Sequence, residues 1–273
     1  MIRRALATLV MVTSPAMAHA ETINLYAAGS LKAALTEAAR AFEQADPGIK
    51  VATEFAASGL LRERIEKGEA AHVFASADLG HPSRLAEQGR ARTQVAVFAR
   101  NQLCALVRPG VAVTTETLLS VMLDPRTRLG TSTPKADPSG DYAFELFAKA
   151  DALRPGARAT LEAKALQLTG GPASAKAPEG RNLYAWVMDS DKADIFLTYC
   201  TNAVLAKKEV AGLAIVALPR PLAVGADYGM IVMKDAPATA ERLTAFIRGD
   251  AGQGILAAYG FGPGDAPVAP RAD

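Results

Sequence analysis

The chain predicts an α/β protein of two lobes, and three observations carry that expectation. Short apolar runs of strand length alternate with helical periodicity from one end to the other, the pattern of layered sheets with mainly parallel strands. Half of the 273 residues are hydrophobic, enough for a proper core. No composition break and no Gly/Ser linker divides the chain, so lobes that share it through crossing strands fit better than two beads in series.

Residues 1–20 are expected to lie outside the fold. Arg3 and Arg4 form a basic start, Ala5 to Val12 an apolar stretch, and Ala18-His19-Ala20 a small-x-small cleavage site before Glu21. That is the layout of a bacterial export signal. The apolar stretch is shorter than the about 20 residues needed to span a bilayer. No lipobox cysteine stands at the cleavage site, so a free soluble protein is expected. Of the 30 Lys and Arg, Arg3 and Arg4 fall in this segment, and those that remain balance the 28 Asp and Glu. No basic cluster with interleaved aromatics points to nucleic acid.

Thr22-Ile23-Asn24-Leu25-Tyr26-Ala27 reads as a strand. Gly29 allows a tight turn, Ser30 stands where a helix N-cap belongs, and Leu31, Ala34, Leu35, Ala38, Ala39 and Phe42 recur at helical spacing. The arrangement then repeats, with a strand from Val51 to Phe55, the turn Ala56-Ala57-Ser58-Gly59, and a helix from Leu60 to Lys67. A strand that hands over to a helix through such a turn gathers N–H groups, a hydroxyl and the positive end of a helix dipole at one spot. That suits an anion. Taken singly, each serine is accounted for as a helix cap. Two in the same setting, on neighbouring strands, point to one shared ligand.

Ala71 to Asp78 reads as a short buried strand, and His81-Pro82-Ser83 opens a helix stopped by Gly89. His72 and His81 do not match a common zinc spacing, so surface or capping roles fit them. Residues 95–99 and 102–107 read as two strands, Thr114 or Thr115 as the cap of a helix over 116–123, and 129–132 as a strand. The turn-rich segment from Thr133 to Asp141 leads into a helix over 142–150, with Ser139-Gly140 as a third donor set at a helix start. Residues 157–168 read as one helix, 169–180 as a loop, and Asn182 as the cap of a helix over 183–188. Residues 193–203 read as a buried strand ending in hydroxyls, 214–219 and 228–233 as strands, and 238–247 and 251–259 as helices. The Pro/Gly-rich end from Gly262 onward reads as loose. For Cys104 and Cys200 two states stay open, a disulfide suited to an exported protein or two buried free thiols.

Catalytic motifs are missing. There is no Gly-x-x-x-x-Gly-Lys-Ser/Thr loop, no Gly-x-Gly-x-x-Gly after a strand, and no Gly-x-Ser-x-Gly elbow. Asp78 and Asp194 sit at strand ends with nothing to pair them at a glycosidase-like or metal-like spacing. Ser58 with His72 or His81 as its base keeps a secreted serine hydrolase as the alternative from another class. The candidate loops otherwise carry hydroxyls and main-chain N–H groups, which bind a ligand without transforming it.

Four segments follow one another in order: Tyr26-Ala27-Ala28-Gly29-Ser30-Leu31, Phe55-Ala56-Ala57-Ser58-Gly59-Leu60, Val73-Phe74-Ala75-Ser76-Ala77-Asp78 and Leu197-Thr198-Tyr199-Cys200-Thr201-Asn202-Ala203. Together they resemble the periplasmic molybdate-binding proteins of ABC transporters, along nearly the whole chain after residue 20. The resemblance implies a two-lobed periplasmic binding fold of type II, each lobe a mainly parallel sheet flanked by helices, with the ligand cleft between them. The expected lobes are 21–102 plus 225–262 and 103–224, with 263–273 as a loose tail. The ligand implied is molybdate or tungstate, held by the hydroxyls and N–H groups of Ser30 and Ser58, main-chain N–H groups of Ser139 and of Leu183 beside Asn182, and the Tyr199 hydroxyl. These groups would bind the oxygens of the anion and not ligate its metal directly, and no cofactor is implied. The resemblance further implies a periplasmic monomer that is not an enzyme, delivering to an inner-membrane permease with a cytoplasmic ATPase.

The physics agrees. Helix ends and oriented N–H groups supply positive potential to a tetrahedral dianion without arginine. A deprotonated anion accepts every hydrogen bond, whereas a protonated phosphate sets its own O–H against a donor, and cavity size would sort sulfate. The chain departs from the family in a longer loop over 170–181, a shorter spacing from Leu183 to Tyr199, and Cys200 and Asn202 where many members have Tyr-x-Thr-Asp-Ala. These leave another small anion or a carboxylate as the alternative ligand. Thr201 and Asn202 are placed to reach that ligand or to cap the next helix.

Overall fold

A computed structural model describes residues 20–264, so the expected export signal and the tail beyond Gly264 lie outside the described residues. The chain begins with β1 (Glu21–Ala28), a 3-10 turn (Gly29–Leu31) and α1 (Lys32–Ala45), then β2 (Ile49–Ala56), α2 (Ser58–Glu66), β3 (Val73–Ala75) and α3 (Gly80–Glu87). It continues through β4 (Ala96–Val107), α4 (Leu118–Leu123), β5 (Leu129–Ser132), α5 (Pro138–Leu153), α6 (Ala157–Lys164), β6 (Leu166–Thr169) and α7 (Leu183–Asp189). β7 (Ile195–Tyr199), α8 (Cys200–Glu209), β8 (Ala214–Ala217), β9 (Gly225–Val232), α9 (Thr239–Arg248), α10 (Asp250–Ala258) and β10 (Gly262–Pro263) complete it.

α1 forms as its spacing predicts, burying Ala34, Leu35, Ala38, Ala39 and Phe42 along one stripe. β1, β2 and β3 run parallel, with Ala28 opposite Ala56 and Ala27 opposite Ala75. That register sets three strand ends side by side, so the turns that follow, with Ser30, Ser58 and Ala77, share one edge of the sheet. Ligands of parallel α/β sheets gather at that edge.

The strand order is β2-β1-β3-β9-β4-β7-β5-β6, with β8 and β10 also paired to β4. Strands are parallel within β2-β1-β3 and within β7-β5-β6, and antiparallel where β9 and β4 cross between the two groups. β4 is a single strand where the sequence suggests two. The polar Arg100-Asn101-Gln102 interrupts the apolar pattern, yet the ladder runs through it because the partners change there. Residues 96–102 pair with β9, and 103–107 pair with β7 and β8.

Other boundaries differ from expectation too. Residues 166–168, expected as the end of a helix, and Thr169, expected to open a loop, form β6 because pairing with β5 overrides the local periodicity. β7 stops at Tyr199 opposite Leu103, beyond which β4 has another partner, so residues 200–209 fold as α8. Gly262 and Pro263 pair with Arg100 and Ala99, so the tail is anchored further than its composition suggests. α4 starts at Leu118, and neither Thr114 nor Thr115 caps it. Asp194, just ahead of β7, accepts hydrogen bonds from Arg128 and Arg108, which hold its carboxyl well below the usual carboxylate range. Its role is structural.

Cys104 and Cys200 form a disulfide with Cα atoms 4.9 Å apart, pinning β4 to the start of α8. The bond closes a long segment of the second strand group, and such cross-links restrict the unfolded chain. Replacing both cysteines with alanine is expected to cost about 2–5 kcal/mol. Calorimetry of the double variant, and of the parent with and without reductant, checks this.

Candidate functional site

Neither predicted serine caps its helix. Ser30 lies in the 3-10 turn after β1, with its Oγ 3.0 Å from the Tyr228 hydroxyl. Ser58 is the first residue of α2 and fully buried, and its Oγ accepts the Ala77 N–H at 3.1 Å. An N–H can only donate, so the Ser58 proton stays free for another acceptor. The Ala77 carbonyl in turn accepts the Tyr199 hydroxyl at 3.3 Å. Ala77 therefore brings Ser58, from α2, and Tyr199, from the end of β7, to one residue. The Tyr199 ring lies 5.5 Å from that of Tyr228 and 6.3 Å from that of Tyr142. Burial raises the Tyr199 hydroxyl well above its ordinary range, so it stays a protonated donor.

Ser139 is the second residue of α5, one turn before Tyr142, and buried. Its N–H donates to Asp137 Oδ1 at 3.0 Å, which caps α5, while its own Oγ is buried without a hydrogen-bond partner among the described residues. The segment ahead of α5 meets α2 directly, where the Gly59 N–H donates to the Ala136 carbonyl at 2.8 Å. Glycine is required here. A Cβ at residue 59 would stand 2.5 Å from the Lys135 carbonyl oxygen and 2.7 Å from that of Ala136. Ser30, Ser58, Ser139 and Tyr199 are thus brought together from both strand groups.

Leu183 is the first residue of α7. The Asn182 N–H binds Glu209 at the far end of α8, about 15 Å along the chain from Tyr199 at helical rise. Asn182 Oδ1 caps α7 by accepting the Tyr184 and Ala185 N–H groups, as its sequence position predicts. What α7 sends upward is the Tyr184 hydroxyl, bonded among Thr198, Ser132 and Thr169 and pushed by burial up to about 12.

Asp137 closes this cluster. Burial raises its carboxyl to about 6, against hydrogen bonds from Ser139 and Ser132 that pull it down, while Asp141 and Asp78 push it further up. Beside the cluster a cavity of about 570 Å³ opens between the two strand groups, lined in part by His81, Arg84, Lys135, Asp141 and Pro172. No group of three or more His, Cys, Asp or Glu side chains among the described residues is placed to hold a metal ion.

The pairing a serine hydrolase needs is not formed. Among the described residues His81 Nε2 has no hydrogen-bond partner and His72 Nδ1 accepts the Asn24 N–H, so neither histidine is bonded to Ser58. Thr201 accepts a hydrogen bond from Asn101, and Asn202 donates to Thr198, so neither caps α8. Sequence reading misses Tyr228 and Asn101, which complete the group around Ser30. Tyr228 lies 198 positions from Ser30, and no local signal marks it.

Residues 23–262 match the family described as bacterial extracellular solute-binding protein. The chain belongs to that family. An uncharacterized protein of Pasteurella multocida (strain Pm70) is 36% identical over 208 residues, covering 76% of this chain and 85% of its own. Among solved structures, the periplasmic molybdate-binding protein of Azotobacter vinelandii matches with a TM-score of 0.68 and 19% identity, over 88% of this chain and 98% of that one. The sulfate-binding protein SubI of Mycobacterium tuberculosis H37Rv matches with a TM-score of 0.72 and 17% identity, over 90% and 88%. At these identities the structural likeness establishes the fold. This solute-binding protein has the two-lobed periplasmic binding architecture, with the cleft where the strand ends meet.

Two outcomes test the geometry. Folding raises the Asp137 carboxyl, so the stability carried by its protonated form is full below about pH 4 and lost as pH rises through 6. Asp137→Asn is expected to gain on the parent between about pH 4 and 8 by on the order of 3 kcal/mol, read from paired thermal melts. Gly59→Ala is expected to push the 135–136 segment off α2 at a cost of about 1–3 kcal/mol. Faster hydrogen exchange of the 133–137 amides, with the sheet amides unchanged, is the readout.

Proposed function

We propose that this chain is the periplasmic binding component of an ABC importer for a small tetrahedral oxyanion, molybdate or tungstate. The observation that carries the proposal is the convergence of Ser30, Ser58, Ser139 and Tyr199 from both strand groups. A proton on Ser58 and the unpartnered Ser139 hydroxyl are donors to spare, and donors to spare suit an anion that only accepts. The family and the fold shared with the Azotobacter molybdate-binding protein support the same reading. The change of partners along β4 supports lobes of 21–102 plus 225–262 and 103–224, hinged where the chain crosses. The protein would work as a monomer without a cofactor, reach the periplasm by its N-terminal signal, and deliver to an inner-membrane permease.

One observation favours a second reading, a different small anion or a carboxylate. The Asp137 carboxyl already accepts the Ser139 N–H, and an ionised acid there repels a dianion about twice as strongly as a singly charged anion such as a carboxylate.

Titration calorimetry with molybdate, tungstate, sulfate and phosphate separates the readings. Molybdate and tungstate are expected to bind at least about tenfold tighter than sulfate, a gap of roughly 1.4 kcal/mol. Ser30→Ala and Ser58→Ala are each expected to weaken binding by about 1–3 kcal/mol. Unchanged affinity in both variants removes the site, and preference for sulfate or a carboxylate moves the assignment to the second reading.

A further inference from the structure

We infer that Tyr228, oriented by Asn101, is the positioning residue that turns the Ser30 hydroxyl toward the ligand. The inference rests on the proposed oxyanion site and concerns how one of its donors is aimed.

The donor directions follow from the neighbours of Asn101. Its side-chain carbonyl accepts the Gln102 N–H at 2.9 Å, so its amide nitrogen faces the two hydroxyls. That nitrogen donates to Thr201 Oγ1 at 2.7 Å and to the Tyr228 hydroxyl at 3.3 Å. Asn101 fills one acceptor site of the Tyr228 hydroxyl, which also bonds Tyr199. With Tyr199 sharing its proton between the Ala77 carbonyl and the second acceptor site of Tyr228, the Tyr228 proton goes to Ser30 Oγ, 3.0 Å away. A serine oxygen that receives a proton keeps its own to give. The chain of bonds runs from Asn101 to Tyr228 to Ser30 and out to the anion, each bond polarising the next.

The setting makes this a fixed device. Tyr228 is fully buried, its ring walled by Phe98, Tyr199 and Phe261 at centroid distances of 6.4, 5.5 and 5.5 Å. Burial holds the phenol protonated. Asn101 sits in β4 opposite Ala226, two residues before the strand changes partner at Leu103, and its other bond reaches Thr201 in α8. The relay therefore begins where the chain crosses between lobes and touches both of them.

A double-mutant cycle tests this, using titration calorimetry with molybdate, with tungstate and sulfate in the same series. Tyr228→Phe keeps the ring packing and is expected to weaken binding about tenfold, with the melting temperature of the ligand-free protein nearly unchanged. If Tyr228 acts through Ser30, adding Tyr228→Phe to Ser30→Ala costs almost nothing more. Losses that simply multiply, or unchanged affinity in Tyr228→Phe, overturn the inference while leaving the binding site standing. Asn101→Asp is the second variant, since a carboxylate accepts the Tyr228 proton and withdraws it from Ser30. It is expected to match the loss in Tyr228→Phe, and full affinity in Asn101→Asp overturns the relay. Absence of binding by every anion in the parent protein removes the site and the relay together.

Discussion

Ala77 is held at both of its main-chain polar groups, the N–H by Ser58 and the carbonyl by Tyr199. Everything proposed for the cleft depends on that double grip. Ser58 belongs to the first strand group through α2, and Tyr199 ends a strand of the second, so one residue of the turn after β3 joins the two. The grip exists because β1, β2 and β3 end in step, and because β7 stops where β4 changes partner. Move either register by one residue and the side chains alternate to the other face.

The chemistry gathered there is mostly uncharged. Hydroxyls of Ser30, Ser58, Ser139, Tyr199 and Tyr228 surround the meeting point, and burial keeps the phenols protonated. Neutral donors in a dry setting discriminate by proton count, because an unmet donor is costly when water cannot replace its partner. Asp137 qualifies this picture. Its carboxyl sits behind the start of α5 and takes the Ser139 N–H, so the helix end is already satisfied by a group whose charge depends on pH.

Much of the fold is legible in the residues because local pattern and burial agree there. The stripe of α1, the strand over 129–132 and the Asn182 cap are read directly. The misreadings fall where pairing overrides pattern. Arg100-Asn101 looks like a break between strands and is the middle of β4, while 166–168 looks helical and belongs to β6, paired with β5. In the site, the serines are found from their turns, but their partners are not. Tyr228 reaches Ser30 and Asn101 reaches Thr201 across long stretches of sequence, and only the crossing of β9 and β4 brings them together.

The bond between Cys104 and Cys200 also has a topological meaning. With its ends 96 positions apart, it makes a covalent ring that takes in α4, β5, α5, α6, β6, the loop over 170–181, α7 and β7. A protease that nicks that loop opens the ring without releasing a fragment. Both halves of a cut lobe stay tethered, and the break becomes visible only once the sulfurs are reduced.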